Sequence, residues 1–383
     1  MHLRDFDAAG FLRDTWQQRP LLIRNPWNRW SNPLEPDELA GLACEPGVES
    51  RLVTRADDRW APEHGPFPDT RFGEMGADPW TLLVQAVDHH VPAVAALLEP
   101  FRFVPNWRVD DVMVSYAVDQ GGVGAHFDNY DVFLVQGLGE RRWQIGTKCD
   151  STTALLPHDD LRLLADFEPI EEWVLGPGDI LYVPPGVAHN GIAVGDDCMT
   201  YSIGFRAPSR GELIAHWAEH LLDGIEDDDR YTDPGLPAQE NPGEISPSAL
   251  ARLRELVAER MLDSQAFAQW FGRYSTAPKN PEIDWRPEQP VEPDDLRSHV
   301  AAGSALLRNP ASRFSFIRGE ADALELFVDG RVYACTGVAA VFAERLCATS
   351  HVRMADEFAA SEACLALILD LLREGSVAFE QTG

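Results

Sequence analysis

The stretch from residue 102 to residue 206 constrains the fold most. Short runs rich in Val, Ile, Tyr and Phe, namely DVMVSYAV, YDVFLVQG, RRWQIG, EEWVLGPGDILYVPPG and CMTYSIGFRA, are separated by Gly, Pro and Asp. β-Branched and aromatic side chains suit a pleated, half-buried surface, and strands at this spacing predict a β-sandwich or barrel. The flanks read differently. LLIRN (21–25) predicts a short strand, and PWTLLVQAVDHHVPAVAALLEPF (79–101) an amphipathic helix ending at Pro100. RGELIAHWAEHLLDGI (210–225) carries Leu213, Ile214, Trp217 and Leu221 at helical spacing. A second helix is expected from Ser246 as N-cap with Pro247 at the first helical position, and Ile245 and Leu250 are spaced as a hydrophobic staple. The fold class expected is therefore α+β with a mainly β core.

Chemistry concentrates in the β-rich stretch. GAHFDNYDVF places His126 and Asp128 two residues apart, which on a strand puts both side chains on one face. The preceding DQGGVG is glycine-rich, which allows close backbone approach and an open mouth. Sixty-three residues after His126, the apolar run Ile180 to Val183 turns through Pro184-Pro185-Gly186 and presents His189. Two histidines and one carboxylate form the facial triad of a non-haem Fe(II) site, leaving three positions for a chelating co-substrate and O2. Taken singly, His126 fits an outer sheet face and His189 a capped turn, but the joint spacing then has no explanation. In ERRWQIG, alternation groups Arg141 with Trp143 and Ile145, so Arg141 points inward and Arg142 toward solvent. A buried guanidinium needs an anion. A dicarboxylate co-substrate provides one through a bidentate fork, and an internal ion pair, for instance with Asp179, is the alternative.

Net charge is −30, from 32 basic and 62 acidic residues. Such a surface disfavours phosphate backbones and attracts basic partners, although solubility alone would also account for it. Six scattered cysteines without a CxxC pair read as reduced thiols, and neither a signal segment nor a membrane-length apolar run is visible. A cytoplasmic, membrane-free protein is expected. STAPKNPEIDWRPEQPVEP reads as a Pro-rich linker. After it, LELFVDGRVYAC reads as a hairpin turning at Asp329-Gly330, with helices near 337–347 and 359–374 and a closing strand SVAFE. Helices with a wing-like hairpin resemble a winged helix. Residues 291–383 carry 8 Lys and Arg against 14 Asp and Glu, the reverse of a DNA reader, so a packing or partner module is expected there.

VGAHFDNYDVFLVQGLGERRWQIG, PGDILYVPPGVAHNG and YSIGFRAPSRGELI resemble the signature stretches of the JmjC oxygenases, and among them of the bacterial ribosomal oxygenases; FLRDTWQQRPLLIRN resembles their entry segment. The resemblance runs along the whole chain. It implies a double-stranded β-helix (jelly roll, cupin/JmjC) over residues 1–207, a helical dimerisation segment over 208–275, a linker over 276–292 and an acidic winged-helix-like domain over 293–383. It implies Fe(II), 2-oxoglutarate and O2 as metal and co-substrates, with His126, Asp128 and His189 as iron ligands and Arg141 on the distal carboxylate. Where bacterial relatives can carry a serine near the co-substrate this chain has Ala117, so Ser115 or water is expected to replace that hydroxyl. The implied activity is hydroxylation of a basic ribosomal protein at an arginine Cβ, in large-subunit protein sixteen, by a homodimer that does not bind DNA. Tyr116, Asp119 and Tyr130 are expected at the mouth, gripping the substrate. A same-fold oxygenase acting on histidine or another protein, and a non-catalytic cupin-like metal-binding module, are the rival readings.

Overall fold

The computed structural model describes residues 3–57, 59–76 and 78–380. Its centre is one curled antiparallel sheet of nine strands. Two long strands, Asp131–Lys148 and Val187–Phe205, pair with each other along most of their length. Val109–Ala117 lies on the far side of the second, followed outward by Trp80–Val84, Ser50–Ala56 and Arg59–His64. The first long strand carries Ile180–Val183 on its opening half and Glu171–Leu175 on its closing half. Leu21–Ile23 completes the sheet beside Ile180–Val183.

One face of this sheet is packed and the other lines a cavity. On the packed face Phe133, Val135, Tyr182, Tyr201, Ile203 and Phe205 meet Phe11, Leu39, Val94 and Phe101 of the N-terminal helical turns. All of these are at most 4% exposed, and each buries on the order of 1.5–3 kcal/mol of apolar surface. An ion pair is set into this layer: Asp131 receives Arg108 Nη2 at 2.9 Å, Tyr182 Oη at 2.6 Å and Gln17 Nε2 at 2.9 Å. Such a buried carboxylate is tolerable because every neighbour donates to it.

Two sequence expectations change here. Residues 79–101 are not one helix. Trp80–Val84 is a strand paired on both sides, and only short turns follow, at Val87–His90, Pro92–Ala95 and Ala96–Phe101. A consecutive apolar run fits either state by periodicity, and Pro92 bars Val91 from the helical region. Nor are YDVFLVQG and RRWQIG separate strands. They are halves of Asp131–Lys148, joined through register irregularities between Gln136 and Glu140. Before the irregularity even-numbered residues face the cavity side, as Val132 and Leu134 do. After it odd-numbered ones do, as Trp143 and Ile145 do. An unpaired residue in a ladder reverses the alternation of everything beyond it. Gly139 permits this, with φ +58° and no room for a Cβ beside the Asp197 carbonyl.

Past the sheet, Arg210–Asp223 begins with a capping box between Ser209 and Glu212. Pro247–Met261 is capped by Ser246 as expected, but Ile245 and Leu250 stay exposed and do not close a staple. A further helix, Ser264–Thr276, closes the segment expected to be helical over 208–275. The C-terminal unit has its own core, built on Phe314, Leu326, Phe342, Phe358, Ile368 and Leu371. Two three-stranded sheets and the helices Pro293–Ala301, Gly337–Ala348 and Glu362–Arg373 surround it. Asp329 and Gly330 both have positive φ, +49° and +78°, which is the twist a two-residue hairpin needs. The Pro-rich segment before this unit is tied down. Lys279 Nζ reaches Asp110 at 3.0 Å and Asp111 at 2.9 Å, and Arg313 Nη2 also reaches Asp110 at 2.9 Å.

Candidate active site

The metal-ligating types converge as expected, by a different route. Residues 124–130 are a loop rather than a strand. His126 is held by a single antiparallel bridge to His189, N–H to carbonyl at 3.0 and 2.8 Å in the two directions. The glycines at 121, 122 and 124 open the chain there; Gly124 has φ +85°. The Pro-Pro-Gly turn is tied to this loop by Gly186 N–H donating to Asp128 O at 2.7 Å. As a result one donor atom from each of His126, Asp128 and His189 lies within 4.8 Å of the other two. Asp128 Oδ2 is 3.9 Å from His126 Nε2 and 3.6 Å from His189 Nε2. Among the described residues no other group of three such side chains is this close.

The imidazoles are oriented from behind. His126 Nδ1 lies 2.9 Å from Gly124 O, and His189 Nδ1 lies 3.0 Å from Val187 O. A carbonyl accepts only, so each Nδ1 carries the proton and each Nε2 offers its lone pair to the common centre. Burial, and then His126, hold the pKa of His189 well below the ordinary histidine range, with Asp128 acting in the opposite sense. His189 is therefore a neutral donor at pH 7. Trp143 lies against it with ring centroids 5.9 Å apart, over Gly191, where a Cβ would stand 2.7 Å from the indole.

The cavity around this centre has a volume of about 790 Å³. Ser115, Tyr130, Arg141 and Thr200 line it together with the three metal-type residues. Arg141 points inward beside Trp143 and is 5% exposed. Its Nε donates to Cys198 Sγ at 3.3 Å, while one Nη nitrogen is out of reach of solvent and has no partner among the described residues. Asp179 is not its counter-ion: that carboxylate takes Arg24 at 2.6 Å and the N–H groups of Asn25 and Gly176. Ser115 is buried opposite Thr200, one face with the cavity.

Of the three side chains expected at the mouth, one is there. Tyr130 lines the cavity and is 43% exposed; enclosure of its hydroxyl end, then the Asp128 carboxylate, raise its pKa. Tyr116 faces the opposite way from Ser115, as strand alternation requires. It packs on Trp80 and donates to Asp197 Oδ1 at 2.7 Å. Asp119 is spent on the Gly195 N–H at 2.7 Å, outside the cavity. Sequence reasoning missed Thr200, although CMTYSIGF alternates large apolar residues with small ones and so marks Thr200 as facing the site. It also missed Asp110, Asp111 and Glu212 in the cavity wall, which stand in or beside the quoted stretches but share no ligand spacing with His126, Asp128 or His189.

A cupin-like sheet with a His-Asp-His cluster in its mouth defines a JmjC-type metal protein, and the chain belongs to that family. The JmjC domain model matches residues 96–213, a ROXA-like winged helix matches 255–378, and an AraC-like ligand binding domain overlaps both at 170–267. The chain is similar to the ribosomal protein uL16 3-hydroxylase of Escherichia coli (strain K12), with 42% identity over 299 residues covering 78% of this chain and 79% of the relative. It is 35% identical over 314 residues to a probable ribosomal oxygenase of Haemophilus influenzae, covering 78% and 75%. The Escherichia coli ribosomal oxygenase YcfD, solved in complex with cobalt and 2-oxoglutarate, superimposes with a TM-score of 0.87 at 35% identity over the full length of both chains.

Proposed function

We propose that this protein is an Fe(II)- and 2-oxoglutarate-dependent hydroxylase of a ribosomal protein, uL16, with an arginine Cβ as the reacting carbon. The observation that carries the reading is the pairing, in one cavity, of three convergent donor atoms with a buried guanidinium nitrogen that lacks an anion. The donor set suits iron: two imidazoles and one carboxylate are the ligands that leave half an octahedron open. The orphaned nitrogen of Arg141 suits the far carboxylate of a dicarboxylic co-substrate. His126, Asp128 and His189 would hold the metal, which when bound supplies the oxidising chemistry that an unactivated C–H bond requires.

The chain's own residues do the rest. Arg141 fixes one end of 2-oxoglutarate, with the Ser115 and Thr200 hydroxyls beside it on the same wall. Gly124 and Val187 carbonyls keep both imidazoles in the tautomer that donates from Nε2. Trp143, Leu134 and Val132 keep the inner wall apolar and dry. Tyr130 stands where a substrate side chain would enter. The −30 charge steers a basic substrate, with a rate that falls as salt rises.

Supporting a homodimer, Ile214, Leu222, Leu250, Leu253 and Val257 of the helical segment are each more than 40% exposed, an apolar surface a second copy would cover. The acidic excess of the C-terminal unit supports a packing or partner role over DNA binding. No helix among the described residues is long and apolar enough to cross a membrane; a cytoplasmic location follows from a ribosomal substrate.

The test is mass spectrometry of a uL16 peptide incubated with Fe(II)-reconstituted protein, O2 and 2-oxoglutarate. A one-oxygen gain on arginine, lost in His126→Ala, is expected. Turnover of 2-oxoglutarate without that gain would discard the substrate, and no turnover would discard the enzyme.

A further inference from the structure

We infer that Cys198 is a positioning residue for Arg141: its sulfur, locked by Gln136, aims the guanidinium into the cavity. This rests on the reading of Arg141 as the co-substrate's carboxylate anchor.

A four-residue relay lies behind the cavity wall. Thr200 Oγ1 donates to Gln136 Oε1 at 3.0 Å. Gln136 Nε2 donates to Leu138 O at 2.7 Å and to Cys198 Sγ at 3.5 Å. Arg141 Nε donates to the same sulfur at 3.3 Å. Thr200 is 1% exposed, Gln136 and Cys198 are 0% and Arg141 is 5%, so water does not compete for these bonds.

The usual device for aiming a buried arginine is a carboxylate, which also neutralises it. A carboxylate in this position would compete with the ligand's own carboxylate for the fork. A thiol accepts the Nε hydrogen weakly and brings no charge. Neither Nη nitrogen hydrogen-bonds to another described residue, so the thiol leaves the outer edge of the guanidinium for a ligand.

The surroundings fix the sulfur as well as the arginine. Cys198 packs with Ala117 and Ala193 in a small buried cluster. Ala193 lies directly across the ladder from Arg141, and Ala117 directly across from Cys198. These short side chains leave room for the guanidinium and close the wall behind it. Ala117 has thus a use of its own: a bulkier or hydrogen-bonding residue there would offer Cys198 another neighbour. Gln136 is itself pinned by the Leu138 carbonyl within the irregular part of its strand, so the relay is anchored in backbone.

The experiment is isothermal titration calorimetry on cobalt(II)-loaded full-length protein, which binds without turning over. Two ligands are compared: 2-oxoglutarate, and 2-oxobutanoate, which has the same metal-facing end but no distal carboxylate. Cys198→Ala is expected to weaken 2-oxoglutarate roughly fivefold, the size of one lost hydrogen bond to a weak acceptor, and to leave 2-oxobutanoate unchanged. Cys198→Ser keeps an acceptor and is expected to restore the affinity to within about twofold. Equal weakening of both ligands by Cys198→Ala would mean general damage to the site, and no weakening would mean the sulfur is idle; either result overturns the inference. Arg141→Met is the control for the underlying reading. If it still prefers 2-oxoglutarate over 2-oxobutanoate as the unaltered protein does, the anchor assignment itself fails. If it loses that preference while Cys198→Ala keeps it, only the role of Cys198 fails.

Discussion

Replacing Arg141 with methionine is expected to make the ligand-free protein more stable and the enzyme useless. Methionine ends where Arg141 has its Nε, so the variant keeps the apolar stem and gives the space of the outer guanidinium atoms back to the cavity. What is removed is a buried charge with an unpartnered Nη nitrogen. Leaving such a donor unsatisfied costs on the order of 1–3 kcal/mol. What is lost is one bond to Cys198 Sγ and the contact of Arg141 with the Trp143 ring at 5.8 Å, together about 1–1.5 kcal/mol. Substituting buried ions by apolar groups has a neutral to stabilising record of about 1–4 kcal/mol. The net expectation for Arg141→Met is a gain of about 1 kcal/mol, read as a higher urea midpoint with chelator present. The sign reverses when ligand is added. At one hundred times its Kd, 2-oxoglutarate stabilises the cobalt-loaded native protein by about 2.7 kcal/mol and should leave Arg141→Met unmoved. A ligand-free variant clearly less stable than the parent would refute the claim that Arg141 is an unsatisfied group. A variant that still gains stability from 2-oxoglutarate would refute its role as the anchor.

Burial, and then Asp111, push Asp88 up to about 8. A carboxyl whose folded pKa lies above its unfolded one stabilises below the unfolded value, about 3.9, and loses that contribution as pH rises toward about 8. Measured by urea, the stability of the parent relative to Asp88→Asn should therefore fall between pH 5 and pH 8, by up to about 1.4 kcal/mol per pH unit; the difference isolates Asp88 from His89 and His189, whose lowered pKa values act in the opposite sense up to about pH 6.5. Gly375 has φ +72°, and a Cβ there would stand 2.1 Å from the Trp285 carbonyl, so Gly375→Ala should destabilise the C-terminal unit by about 1–3 kcal/mol and lower its urea midpoint. Leu253→Glu with Val257→Glu should halve the mass seen by light scattering if the helical segment is the dimer contact, and an unchanged mass would place the contact elsewhere.

Periodicity and motif spacing made the β core, the inward turn of Arg141 and the His-Asp-His set legible, because each rests on local rules. Trp143 and Ile145 declare which face of their strand is inside, and Arg141 follows by alternation. The rest depends on partners distant in the chain. Trp80–Val84 became a strand because two neighbours pair with it. His126 and Asp128 meet through the bridge to His189, not through the strand alternation that suggested them. Tyr116 and Asp119 were close to the site in sequence but are claimed by Asp197 and Gly195. Lys279, in a segment that reads as a loose linker, is drawn to the carboxylates of Asp110 and Asp111. Burial alone would raise Asp110, yet Lys279 and Arg313 hold it below the usual carboxylate range.

The irregular register at 137–139 makes this region sensitive to length more than to identity. Arg141 and Arg142 are adjacent and chemically the same, and only the count of residues since Leu134 decides which of them reaches the cavity. Loss of one residue between them and Leu134, with the ladder closed up, would restore simple alternation and carry the anchor out to solvent, along with Trp143 and Ile145. Gly137 and Gly139 thus act as a reading-frame element for the second half of the strand: a substitution on its outer face leaves the site in place, while an insertion or deletion of a single residue would invert it.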